Sequence, residues 1–180
     1  KYTLYAFIFM CYIKKGVKMD KENIIKNLKN KNVWFELEEH QAVFNMGDLD
    51  EVNLKYKNRD AKNIFVRDDK KLNYYLITIK GDKKVDLKQF RKSFNTRNLS
   101  FASAEDLMSI LKLIPGSVSP LGILNDEKLK VRFFIDKFFL NDNGIIGIHP
   151  NENTATLWIK TEDLIEIIKN HGNTVDIIDC

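Results

Sequence analysis

Three short polar stretches carry the side chains best suited to chemistry. The first is Ala61-Lys62-Asn63-Ile64-Phe65, where a lysine and an asparagine stand at the mouth of an apolar strand. A lysine with a buried stem at such a point can meet a phosphate, or the charge that develops on a carbonyl oxygen under attack. The second is Pro115-Gly116-Ser117-Val118-Ser119-Pro120-Leu121-Gly122, a Gly and Ser loop held between two prolines. A loop of this kind can aim several backbone N–H groups at an oxyanion or a carboxyl group. The third is Gly144-Ile145-Ile146-Gly147-Ile148-His149-Pro150-Asn151, in which a histidine leaves a buried strand into a rigid turn. Each stretch also has a plainer reading: a solvated strand end in a chain rich in Lys and Asn, an ordinary Pro-Gly and Ser-Pro turn, and a packing histidine. Elsewhere, His40 reads as a structural or pocket-rim residue and Cys180 as an inert terminus.

The common catalytic signatures are missing. There is no phosphate-binding Walker loop, no Gly-x-Gly-x-x-Gly and no Gly-x-Ser-x-Gly, and His and Cys nowhere take metal-ligand spacing. With three His and two Cys in 180 residues, a zinc mechanism is not expected, and neither a metal nor another cofactor is called for. Cys11 and Cys180 make no disulfide framework, so a reducing compartment, the cytosol, is the expected setting.

The formal charge of +4 is contributed by Lys1, Lys14, Lys15 and Lys18, because the first 18 residues contain no Asp or Glu. From Met19 onward basic and acidic residues balance. Gripping a long duplex through its phosphates needs a clear excess of Lys and Arg along one face, so any RNA contact should be local. Residues 4–13 form an apolar run flanked by lysines, too short to span a bilayer, which needs about 20 apolar residues in a helix. Residues 1–18 are therefore read as an extension outside the functional domain, with no membrane role, and residues 19–180 as one domain.

Positioning these stretches falls to a mixture of helices and strands. Ile24, Ile25 and Leu28 recur at helical spacing after Met19, and residues 33–37 have strand composition. A short helix is expected around residues 46–52. Strands at 63–67 and 74–80, joined by a charged turn, read as a hairpin flanking Lys62. Asp86 and Ser103 are candidate helix caps. The stripe Leu87, Phe90, Phe94 follows the first, and Leu107, Ile110, Leu111, Ile114 follow the second, up to a stop at Pro115-Gly116. Residues 131–135, 138–140, 145–148 and 154–159 read as further strands, Thr161 opens a last helix ending at His171-Gly172, and 175–178 closes the chain as a strand. The order is no regular βαβ alternation. The expected class is α+β, a single domain with a mixed, largely antiparallel central sheet covered by helices.

Taken in order, Ala61-Lys62-Asn63-Ile64-Phe65-Val66-Arg67-Asp68, the hairpin Tyr74-Tyr75-Leu76-Ile77, Leu99-Ser100-Phe101-Ala102-Ser103, Gly116-Ser117-Val118-Ser119-Pro120, Gly147-Ile148-His149-Pro150-Asn151 and Thr154-Ala155-Thr156 resemble the YbaK and ProX family of prolyl-tRNA editing domains. The likeness runs from about Asp20 to Asp179 and looks closest to the ProX type. Glu39-His40-Gln41-Ala42-Val43 sits where that family often has His-Pro-Pro-Val, and Gln41 and Ala42 depart from the pattern. The resemblance implies hydrolysis of the ester that joins a wrongly attached amino acid to the terminal adenosine of proline tRNA. Alanine is the favoured amino acid, with cysteine the alternative. It implies that Lys62 holds the terminal nucleotide or the reacting carbonyl, and that Asn63 orients the same end. The backbone of Gly116, Ser117, Val118 and Ser119 would face the aminoacyl group. Gly147 and His149 would close the pocket, with His40, Pro150 and Asn151 along its wall. Water is the implied nucleophile, assisted by the substrate's own ribose hydroxyl. The implied partner is the acceptor end of aminoacylated tRNA(Pro), with prolyl-tRNA synthetase as a possible second. A rival class keeps the same fold as a non-catalytic module that binds tRNA or an amino acid.

Overall fold

The computed structural model describes residues 17–42 and 54–179. The expected helix at 46–52, the apolar run at 4–13 and both cysteines lie outside them. Helix α1 (Lys21–Asn30) starts where the Asp20 carboxylate accepts a hydrogen bond from the Asn23 N–H at 3.0 Å, and it buries Ile24 and Leu28. Its end shifts the following strand. Asn32 adopts a left-handed conformation (φ 52°), its N–H donates to Lys29 O, and Val33 N–H donates to Leu28 O, a closing turn that consumes the residues expected to begin the strand. Strand β1 is therefore Phe35–Glu39.

Strands β2 (Ala61–Asp68) and β3 (Tyr74–Lys80) form the expected hairpin. Its turn is built by one side chain: buried Asp68 accepts from the N–H groups of Lys70, Leu72 and Asn73 and from Asn73 Nδ2. Burial alone would raise the Asp68 pKa, but those donors hold it below the ordinary carboxylate value. Helix α2 (Leu87–Phe94), capped by Asp86, lays Phe90 and Phe94 on Phe134, with ring centroids 4.8 and 4.7 Å away. A short strand not foreseen in the sequence, β4 (Leu99–Phe101), then pairs with the far end of β2, opposite residues 66–68.

Helix α3 (Ala104–Leu111) opens with a reciprocal capping box between Ser103 and Asp106. It ends a turn before the expected stop. Lys112 turns left-handed (φ 58°), Asn125 Nδ2 captures the Leu111 carbonyl at 2.9 Å, and Ile114, expected on the buried stripe, is exposed. Residues 120–125 form a 3₁₀ turn capped by Ser119. Strand β5 (Val131–Asp136) runs into a second 3₁₀ turn (Lys137–Leu140) rather than the expected strand, because the Asp136 carboxylate accepts from Phe138 N–H and bends the chain. Strands β6 (Ile145–Ile148) and β7 (Ala155–Lys160), helix α4 (Thr161–His171) and strand β8 (Val175–Ile178) complete the order.

The strands make two sheets rather than one central sheet. The larger has order β4-β2-β3-β5-β8, with β4-β2-β3 antiparallel and β3-β5-β8 parallel; the smaller is the antiparallel β1-β7-β6. A parallel bridge between Asp60 and Gly147 joins them, with Gly147 N–H donating to Arg59 O at 2.8 Å. The mixed, largely antiparallel α+β character holds. The main core lies between the sheets and under α1, α3 and α4, while a second, aromatic core lies under α2 on the opposite face of the larger sheet. Strand alternation sends Ile64 and Val66 to the α2 side and Phe65 to the main core. Lys62 and Asn63 therefore stand on opposite faces of β2.

Candidate active site

Strand β4 covers only the far end of β2, so the edge of β2 from Ala61 to Ile64 is left open on that side, and a cleft of about 550 Å³ surrounds it. From β2 come Lys62 and Asn63; from the loop after α3 come Gly116 and Val118; from the start of α3 comes Ser103. Lys84 and Phe101, neither a candidate from the sequence, complete the wall on the α2 side. Among the described residues no ion pair or hydrogen bond engages the Lys62 side chain, although ten ion pairs occupy other charged groups. A lysine at an open sheet edge without a countercharge is available to an anionic or polarised ligand.

Asn63 is used differently. Its Nδ2 donates to Val118 O at 3.0 Å and its Oδ1 accepts from Thr78 Oγ at 2.7 Å, Thr78 being its cross-strand neighbour in the hairpin. The amide clamps the 115–120 loop onto β2, and its side chain is committed before any substrate arrives. The loop serines are committed too. Ser117 Oγ donates to Ile114 O at 2.9 Å, and Ser119 Oγ donates to His149 O at 2.5 Å while accepting from Leu121 N–H. Both are buried. Ser103 Oγ donates to the Asp106 carboxylate at 2.9 Å. The loop lines the cleft with Pro115, Gly116 and Val118, and Gly116 holds a left-handed conformation (φ 88°) that a side chain would disfavour.

The histidine wall is adjacent to this cleft and does not line it. His149 is largely buried, its Nδ1–H donates to Ala155 O at 3.2 Å, and this leaves Nε2 as the acceptor. Burial, with a smaller contribution from nearby His40, lowers its pKa, partly offset by the Ala155 carbonyl. His40 bridges Thr156 Oγ and Gln41 O at 3.0 and 2.8 Å. Pro150 is buried, and Asn151, left-handed at φ 64°, donates from Nδ2 to Met19 O. Gly147 has a packing reason for being glycine: a Cβ there would lie 2.3 Å from Cζ3 of the buried Trp158 ring. The Ser119–His149 bond links this wall to the loop, so the predicted residues form one continuous structure, in which only Lys62, Asn63, Gly116 and Val118 reach the cleft itself.

Three residues that matter here carried weak signals. Thr78 could have been found by setting the hairpin in register, which puts it opposite Asn63. Lys84 was hidden among many lysines. Phe101 sits in a strand too short for its periodicity to show. Among the described residues no cluster of three His, Cys, Asp or Glu side chains is placed to hold a metal, and no helix is long and apolar enough to cross a membrane.

Comparison with known proteins gives this geometry a context. Residues 40–167 match the family model of the aminoacyl-tRNA editing domain. The chain is 35% identical over 159 residues to the prolyl-tRNA editing protein ProX of Acetoanaerobium sticklandii, covering 88% of this chain and 96% of that protein. It is 30% identical over 141 residues to prolyl-tRNA synthetase associated domain-containing protein 1 of Bos taurus, covering 77% and 82%. A crystal structure provisionally assigned as a trans-editing enzyme for prolyl tRNA synthetase superimposes with a TM-score of 0.63 at 14% identity, covering 89% of this chain and 97% of that one, and so shares its fold.

Proposed function

The chain belongs to the aminoacyl-tRNA editing domain family, and on that premise we propose that it deacylates Ala-tRNA(Pro) in trans, releasing alanine and free tRNA. The observation that carries the reading is the contrast between the lysine in the cleft and the serine hydroxyls in and behind its wall. Lys62 has no countercharge among the described residues, whereas the hydroxyls of Ser103, Ser117 and Ser119 are all spent on internal acceptors. A cleft with an available cation, a braced backbone loop and no serine held ready as a nucleophile suits ester hydrolysis by water. Lys62 Nζ contacts the terminal phosphate or the ester carbonyl, where negative charge grows as water adds. The neighbouring ribose hydroxyl of the substrate directs that water. The Gly116 and Val118 backbone faces the aminoacyl group, and Asn63 fixes that backbone to β2 instead of touching the reacting atoms. His149, neutral through burial, and His40 belong to the wall behind the loop. The partner is the acceptor end of tRNA(Pro), delivered from prolyl-tRNA synthetase, and the setting is cytoplasmic.

The test is release of labelled alanine from Ala-tRNA(Pro), beside Pro-tRNA(Pro) and Cys-tRNA(Pro), by the wild-type protein and by Lys62→Ala. Loss of alanine alone, abolished in Lys62→Ala without a change in thermal stability, is the expected result. Equal activity in the variant would remove Lys62 from the mechanism, and no hydrolysis of any of the three would favour a binding module.

A further inference from the structure

Phe101 is a large aromatic side chain left 69% exposed on a strand, at the rim of the cleft that holds Lys62. Its placement follows from register. Phe101 lies opposite Val66 in the β4-β2 pair, and Leu99, two residues earlier and therefore on the same face, packs into the α2-side core with Val66 and Ile64. Lys62 continues that face of β2, four residues and about 13 Å from the level of Phe101 at a strand's rise per residue. Lys84, exposed and, like Lys62, without an ion pair among the described residues, borders the same cleft beside Val85. The α2 side of the open β2 edge thus presents an aromatic plane at one end and two unneutralised cations toward the other. The opposite side presents Gly116 and Val118, the latter held through its carbonyl by Asn63.

We infer that the two sides of the β2 edge divide the substrate: the α2 side seats the unpaired terminal nucleotide, with its base stacked on Phe101 and its phosphate between Lys62 and Lys84, and the loop side receives the aminoacyl group. An exposed aromatic beside free lysines is the combination that grips single-stranded nucleic acid ends, because every base has a π face and every linkage a charge. Burying Phe101 in this protein's own core would need no flanking cations, and leaving it in water serves no packing purpose. Lys84 and Phe101 are positioning residues, so their loss weakens capture of the substrate more than the chemical step. The inference rests on the deacylase reading of the same cleft, and its test separates the two.

The probe is an uncharged acceptor-stem RNA of tRNA(Pro) whose terminal adenine is replaced by fluorescent 2-aminopurine, titrated against wild-type protein, Phe101→Leu, Phe101→Trp and Lys84→Gln, with alanine release from Ala-tRNA(Pro) measured in parallel. Stacking predicts quenched fluorescence with wild type and Phe101→Trp. In Phe101→Leu the quench is lost and the KM for alanine release rises by roughly tenfold to a hundredfold while kcat changes little. Lys84→Gln should raise KM and flatten its dependence on salt. Because Phe101 is exposed, Phe101→Leu should stay folded, and its melting temperature checks this directly. Undiminished quenching and KM in Phe101→Leu overturn the inference and leave the deacylase reading standing. Quenching that depends on Phe101, in a wild-type protein that releases no amino acid, supports the nucleotide seat and overturns the deacylase reading.

Discussion

Replacing Asn63 by alanine tests whether the site is held by a clamp. The side chain donates to Val118 O at 3.0 Å and accepts from Thr78 Oγ at 2.7 Å, and Thr78 is fully buried. Each bond is worth about 0.5–1.5 kcal/mol net, and stranding a buried partner costs about 1–3 kcal/mol. The Val118 carbonyl lies at the cleft and can recruit water; the Thr78 hydroxyl, within the sheet, cannot do so without rearrangement. Asn63→Ala should therefore destabilise the domain by about 2–4 kcal/mol, which for a chain of this size lowers Tm by roughly 5–15 °C. Urea titration of Asn63→Ala, Thr78→Val and the double variant supplies the cycle. Removing both partners spares the penalty of an orphaned hydroxyl, so the double variant should lose clearly less than the sum of the singles. Alanine release at a temperature where Asn63→Ala is still folded should also fall, because the 115–120 loop loses its tie to β2. Stability within about 0.5 kcal/mol of wild type, or strict additivity in the cycle, would refute the clamp and return Asn63 to direct contact with substrate.

Two further outcomes follow from the wall behind the loop. Gly147→Ala should cost about 1–3 kcal/mol by overpacking and should change tryptophan fluorescence, since its Cβ would fall 2.3 Å from the Trp158 ring, which is buried and hydrogen-bonded to Glu38; unchanged emission and stability would mean the ring has room to move. His149 binds its proton less readily folded than unfolded, so its contribution to stability is complete above the ordinary histidine pKa of 6.5 and is lost as pH falls through that value toward the lowered folded one. Melting temperatures between pH 7.5 and 5.5 should fall more steeply in wild type than in His149→Gln, and equal slopes would count against a buried neutral imidazole.

The hairpin, the caps at Asp86 and Ser103, and the last helix were legible because their signals are local: alternation, an acceptor before an apolar run, a Gly at a helix end. Where the expectation slipped, a tertiary hydrogen bond outweighed composition. Asn125 ended α3 early from fourteen residues away, Asp136 turned Phe138 and Phe139 out of a strand, and the closing turn of α1 took Val33. The division into two sheets rests on which strand pairs with β7 and on the Asp60–Gly147 bridge, and no local pattern encodes either. Of the candidate site, the order of the polar stretches led to the family, yet residue type alone gave no means of telling braced groups from available ones.

That distinction bears on mechanism. Serine, asparagine and histidine near a cleft suggest a nucleophile, an orienter and a base because their polar atoms can do such work, but a polar atom already bonded internally must break that bond to act. Ser117, Ser119 and Asn63 spend their hydrogen bonds on the shape of one loop, and His149 spends its Nδ1 proton on Ala155. A loop held this firmly keeps its backbone groups in place while charge moves, which is the condition under which fixed dipoles stabilise a transition state without reorganising. Among the described residues of the cleft, the side chains left to take a new partner include Lys62. With a braced loop on one side, unpaired lysines at the edge and no protein nucleophile required, hydrolysis places its remaining demand on the substrate, whose own hydroxyl must stand beside the ester under attack. A substrate lacking that hydroxyl, with the ester intact, should bind this cleft normally and resist cleavage; fast hydrolysis of it would mean that one of the braced side chains releases its bond and acts as the base.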